Sequence, residues 1–191
     1  MGKVILLVGP HGVGKTSIIE YARKQGDFIV YDGFKISSNQ YNLNDINDFL
    51  KYQHEYLKIA SDISNKIHND KLPGIVLRSI EECSFYYYSK PDSNLFMNYY
   101  FECVKENKYM GADIFIYLDA TYDVLQRRCN GDKNRDMKKT CEWYEKKYAD
   151  YERYWKNYSG SIVLDTTRDS VQEIYQKIKE ICDEGSICVE K

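Results

Sequence analysis

Five short apolar runs punctuate the chain: KVILLVG (3–9), FIVYDGF (28–34), GIVLRSI (74–80), DIFIYLDA (113–120) and SIVLDTT (161–167). Each is strand-sized and almost continuously apolar, as expected of strands buried on both faces of a parallel sheet. Helical patterning falls between them, near 15–25, 44–69, 93–109, 140–158 and 169–184. Pro73-Gly74 and Ser159-Gly160 mark the starts of two of the strands. The alternation predicts an α/β fold of three layers, a five-stranded parallel sheet flanked by helices and joined by right-handed crossovers. With no repeat and no low-complexity linker, a single domain over 1–191 is expected. Ligands in such sheets bind beyond the carboxyl ends of the strands. That rule singles out Asp32, Arg78 with Ser79, Asp119, and Asp165 with Thr166 and Thr167.

The second helical stretch carries an anomaly. Positions 46, 50, 53, 57, 60, 64 and 67 step by four and three along one helix face. Ile46, Leu50, Leu57, Ala60 and Ile67 on this stripe are apolar, and Gln53 interrupts them. A buried amide must be hydrogen-bonded or it costs a few kcal/mol, roughly 1–3 by mutational measures. Gln53 therefore either meets neighbouring backbone or faces a polar ligand, and its paired donor and acceptor match the edge of a nucleobase.

Composition changes the picture mainly by exclusion. The 191 residues can bury the core of one α/β domain. The net charge of −2 supplies no basic field that points to nucleic acid or a membrane. No apolar run approaches the ~20 residues that cross a bilayer, and a strand stands where a secretory signal would begin. Cysteines at 83, 103, 129, 141, 182 and 188 form no C-x-x-C pair and have no histidine at metal-ligand spacing. They read as reduced thiols in a cytoplasmic protein. The 19 tyrosines accompany many Asn, Lys and Ile residues and are not taken as a signature.

The first strand runs into GPHGVGKTS (9–17), which fits G-x-x-x-x-G-K-[ST]. Glycines at 9, 12 and 14 permit a tight turn with unshielded amides, and the helix expected to start near Lys15 adds its own N-terminal amides and dipole. Gly9, Pro10, His11, Gly12, Val13, Gly14, Lys15, Thr16 and Ser17 thus read as an ATP-binding loop. Lys15 would bridge the outer phosphates, Thr16 would ligate Mg²⁺, and His11 serves as a spacer. The lack of D-x-x-G and N-K-x-D segments argues against a GTPase, and size, with strand ends lacking paired acidic residues, against a large remodelling ATPase. A small phosphotransferase remains. The run after the fourth strand, with Arg127, Arg128 and Arg135 around Asn130-Gly131-Asp132, fits a basic lid over about 127–139 that brings Arg128 and Arg135 to the transferring phosphoryl group.

Together these stretches resemble the thymidylate kinase and deoxynucleoside kinase superfamily over most of the chain. The series IYLDATYDVLQRR, RD, CEWYEKKYADYERYW and VLDTT (116–167) is similar to that family's fourth strand, arginine-rich lid, tyrosine-bearing helix and last strand. FLKYQHEYLKIASDI (49–63) resembles the helix whose Phe-Gln pair meets the substrate base, with Tyr52 and Gln53 in those places. VLRSI (76–80) resembles the third-strand end carrying Glu-Arg-Ser, so Arg78 and Ser79 match, whereas Leu77 replaces Glu and Cys83-Ser84 replace a following Asp-Arg.

The resemblance implies a P-loop kinase fold with a lid. It also implies an ATP- and Mg²⁺-dependent enzyme acting on a nucleoside 5′-hydroxyl or, as the alternative, on a nucleoside monophosphate. Asp32, beside Gly33, stands where such kinases hold a carboxylate near the acceptor, with Glu81 and Glu82 in reserve. The expected catalytic set is Lys15, Asp32, Arg78, Arg128 and Arg135. Asp32, Tyr52, Gln53, Arg78 and Ser79 are expected at the substrate. The expected partner is a small nucleoside or nucleotide rather than nucleic acid or membrane, with a homodimer left open. Two further readings stay open, a kinase of a nucleic-acid hydroxyl and a nucleotide-binding protein without transfer activity.

Overall fold

The computed structural model describes residues 1–34, 36, 40–42, 45–82, 105–106, 109–133 and 136–184. Five strands, β1 (Val4–Val8), β2 (Ile29–Tyr31), β3 (Gly74–Val76), β4 (Ile114–Asp119) and β5 (Ser161–Asp165), form one parallel sheet in the order β2-β3-β1-β4-β5. Among the described residues the helices are α1 (Lys15–Gln25), α2 (Ile46–His68), α3 (Tyr122–Asn130), α4 (Met137–Lys146), α5 (Tyr148–Lys156) and α6 (Val171–Asp183). Apart from residues 105, 106 and 109, the helix expected near 93–109 lies outside the described residues, as do Cys83, Ser84 and Arg135. The chain divides into two compact units, 1–6 with 31–113, and 7–30 with 114–191.

In the first unit, β1 and β3 pair through Val4–Gly74, Ile5–Ile75 and Leu6–Val76. Asp113 pins the start of β1, because its Oδ2 accepts from the Val4 amide at 2.7 Å and lies 2.8 Å from His68 Nε2. α2 begins at Asp45, whose carboxylate caps the amides of Asn47 and Asp48. The predicted stripe is real: Gln53, Leu57, Ala60, Ser64 and Ile67 are buried, whereas Ile46 at its outer end is exposed. Leu57, Ala60 and Ile80 form a cluster backed by Phe34, Phe49, Leu50, Tyr56 and Tyr109. The strand expected over 74–80 stops at Val76. Leu77 still donates to the Tyr31 carbonyl, but the chain then turns, with the Glu82 amide on the Ser79 carbonyl.

In the second unit, β4 and β5 pair from Phe115–Ser161 to Asp119–Asp165. α1 buries Ile18, Ile19 and Ala22, and α6 buries Ile174, Tyr175 and Ile178. Tyr175 sets its ring edge-on to Tyr21 and Phe28. A capping box of Ser170 and Glu173 starts α6. The single helix expected over 140–158 is two, α4 and α5, broken at Lys147, which takes φ −131°. No Pro or Gly marks this break. Tyr144 and Tyr148 pack at 5.1 Å across it, and Tyr151 with Trp155 continues the aromatic row at 6.2 Å.

Candidate functional site

The loop after β1 has the backbone its composition predicts. Gly14, the N-cap of α1, sits at φ 102°, ψ 10°, a left-handed conformation that costs a residue with a Cβ about 1–2 kcal/mol. No side chain caps α1, so its first amides point into the loop. Gly12 is equally constrained, at φ 81°, and a Cβ there would come within 2.7 Å of the Leu125 carbonyl and 2.8 Å of Cys129 Sγ. Lys15 Nζ lies 2.5 Å from the Gly9 carbonyl and 3.0 Å from that of Pro10, folded back over the loop. The loop from Pro10 to Ser17, with Arg128, Asp132, Thr166 and Asp169, lines a cleft of about 730 Å³, within the range of nucleotide-sized pockets.

Side chains that sequence reasoning missed hold this loop from below. The Tyr144 hydroxyl donates to the His11 carbonyl, and the Gly9 amide donates to the Tyr151 hydroxyl at 3.3 Å. His11, expected to be a spacer, also sets its ring edge-on to Trp143 with centroids 4.7 Å apart. The break at Lys147 separates α4, which carries Trp143 and Tyr144, from α5, which carries Tyr151. The spacing 144, 148, 151, 155 is a helical aromatic stripe and was the available signal.

Arg128 was expected in the lid over about 127–139. It stands in the last turn of α3, a helix, with Nη2 on the Thr166 carbonyl at 2.7 Å and Nη1 on Thr166 Oγ1 at 3.1 Å. Thr166 Oγ1 also lies 3.0 Å from the carbonyls of Val13 and Asp119, so this buried hydroxyl ties the end of β5 to the loop. Asp119 pairs with Lys156 at 2.7 Å. Burial opposes the Lys156 charge, but its bonds to Asp119 and Glu152 outweigh this and raise its pKa.

The residues expected at an acceptor lie in the first unit. Asp32 is exposed just after β2. Tyr52 is half-buried, its ring 5.6 Å from that of Tyr41, and Gln53 is buried. Arg78 Nη1 donates to Glu82 Oε2 at 3.0 Å, and the Tyr56 hydroxyl donates to the same oxygen at 3.0 Å. Ser79, expected at the substrate, is instead fully buried, with its hydroxyl committed to Glu81 Oε2. Glu81 Oε1 accepts from the Ala112 amide at 3.1 Å. Burial pushes the Glu81 carboxyl above its usual 4.5, against the lowering effect of the Ser79 and Ala112 bonds.

The residues present fit a magnesium nucleotide. Open helix amides and a lysine would meet phosphate oxygens, and the exposed Thr16 would offer a hydroxyl to Mg²⁺ held by those phosphates. Among the described residues, no cluster of three or more His, Cys, Asp or Glu could hold a metal by itself. A glycine-bounded loop between β1 and α1 in a parallel sheet of this order defines a P-loop protein with the P-loop kinase fold.

A family model described as an AAA domain matches residues 5–156, and the chain belongs to that family of P-loop domains. No curated protein matches the chain. Among solved structures, deoxyadenosine kinase from M. mycoides with bound dATP is 21% identical, with a TM-score of 0.65, covering 93% of this chain and 98% of that one. The same kinase with the products dCMP and a flexible dCDP is 20% identical, with a TM-score of 0.63, over 95% and 99%. The likeness to both is one of fold.

Proposed function

We propose that the protein is a kinase that moves the γ-phosphoryl group of ATP to the 5′-hydroxyl of a deoxynucleoside. The observation that carries this reading is the glycine-capped loop with Lys15 at its end, set in the fold shared with a deoxyadenosine kinase. Asp32 and Arg78 follow the carboxyl ends of β2 and β3, where sheets of this kind bind ligands. Lys15 would leave the carbonyls of Gly9 and Pro10 to bridge the outer phosphates, while the amides of α1 hold the rest. Bound through Thr16, Mg²⁺ would neutralise charge on the phosphates. Asp32 orients the acceptor hydroxyl and takes its proton as the new P–O bond forms, Arg78 donates to the reacting oxygens, and ADP departs. Arg128, fixed by Thr166, lines the nucleotide cleft and acts there on the donor.

The test is ADP release with Mg²⁺ and ATP against a panel of deoxynucleosides and their 5′-monophosphates. Nucleoside-dependent ADP release is expected. Turnover of monophosphates alone would move the protein to the thymidylate-kinase type, and ADP release indifferent to either acceptor would remove the kinase reading.

A further inference from the structure

Among the described residues of the first unit, Glu82 carries a buried carboxylate that the reaction above does not use. Its side chain is 6% exposed, whereas that of Arg78 is 43% exposed. A carboxylate that deep is costly without a partner. Both hydrogen bonds described for it, from Arg78 and Tyr56, converge on one oxygen. Tyr56 is itself fixed, with its ring 4.8 Å from Phe34 and packed on the Leu57, Ala60 and Ile80 cluster. The ion pair is therefore anchored at its inner end and presents the guanidinium outward. Arg78 also runs along Gly33, where a Cβ would stand 3.4 Å from Arg78 Cγ, which sets the arginine stem beside the residue following Asp32.

Among the described residues, three charges stand together here. Arg78 contributes one positive charge, and Glu82, 3.0 Å away, already matches it. Asp32 adds a further carboxylate. A phosphate dianion needs surplus cation at its site, whereas a hydroxyl needs oriented donors and an acceptor.

We propose that Glu82 is the positioning residue of the acceptor site: by holding and neutralising Arg78 it makes the site accept the uncharged hydroxyl of a nucleoside and reject a nucleoside monophosphate. The inference rests on the kinase reading above and specifies its acceptor.

The test compares wild type, Glu82→Gln and Glu82→Asp, each checked for a normal melting curve, using deoxynucleosides and their 5′-monophosphates as acceptors. Glu82→Gln leaves Arg78 unneutralised. It should lower kcat/KM for the nucleoside by about a hundredfold, as misplacement of a positioned group does. It should also shrink the preference for nucleoside over monophosphate by at least about tenfold. Glu82→Asp keeps the charge and should lower kcat while keeping the preference. A Glu82→Gln enzyme that loses both activities in equal proportion, or neither, overturns the inference while leaving the kinase reading intact. A wild type that phosphorylates monophosphates and ignores nucleosides overturns both. Should Glu82→Gln fail to fold, titration calorimetry on wild type decides. Nucleoside binding more tightly than its monophosphate supports the proposal, and the reverse order overturns it.

Discussion

The two units hold their charged groups in different ways. Around the phosphate loop, positions are set by backbone: left-handed glycines, helix amides, and carbonyls that receive Lys15, Tyr144 and Arg128. In the first unit they are set by carboxylates, Glu82 gripping Arg78 and Tyr56, and Glu81 gripping Ser79 and the Ala112 amide. A backbone cradle suits a ligand whose charge never varies, since amides cannot titrate or swing away. A carboxylate frame suits discrimination, because one buried charge sets which partners are tolerated.

The largest effects expected from this contrast are catalytic. Lys15→Ala should cut kcat by about 10³-fold, the scale of losing a donor to developing phosphoryl charge, with an unchanged melting temperature. Near-normal turnover in steady-state assays would take the loop out of the reaction. Asp32→Asn should lower kcat on a nucleoside by about 10²-fold or more while ATP affinity, read by titration, hardly moves. A change confined to ATP affinity would place Asp32 with the donor and blur the division.

A smaller effect, on stability, probes the cradle itself. Gly12→Ala forces a Cβ against the Leu125 carbonyl and Cys129 at φ 81°, which should cost roughly 1–3 kcal/mol and lower the melting temperature by several degrees. An unchanged Tm would show that the loop yields more easily than its contacts imply.

The smallest effect tests the carboxylate frame. Because folding raises the Glu81 pKa above its usual 4.5, the folded state binds its proton more tightly than the unfolded chain. Its stabilising contribution is whole below 4.5 and is lost as pH rises through the folded value. Glu81→Gln, which cannot titrate, should therefore gain on wild type in denaturant melts as pH is raised from about 4 to 7. A constant gap across that range would mean Glu81 titrates normally.

The same contrast explains what the sequence disclosed. The loop was legible because its function resides in glycine spacing and in the order strand, loop, helix. The five strands were legible from their apolar runs, although β2 and β5 are less buried than those runs suggest, and the Gln53 stripe because period and burial agree. The end of β3 was not, since Leu77, Ser79 and Ile80 look like strand until Ser79 turns to meet Glu81. The break at Lys147 was hidden because no residue type marks it. The bond from Arg128 to Thr166 was hidden because its partner lies far along the chain. Arg78 and Glu82 stand at i, i+4, a spacing visible in the sequence, but only burial shows which of the two commands the other.

The packing of His11 against Trp143 gives the molecule an optical property. The chain has two tryptophans, and Trp155 is sealed in the interior at 0% exposure. Its indole is shielded from solvent. Trp143 instead touches the ring of His11, a residue of the phosphate loop itself, whose carbonyl accepts from the Tyr144 hydroxyl. A nucleotide that reshapes the loop would alter the quenching of the Trp143 indole, so occupancy of the cleft could be followed by ultraviolet fluorescence of the unlabelled protein.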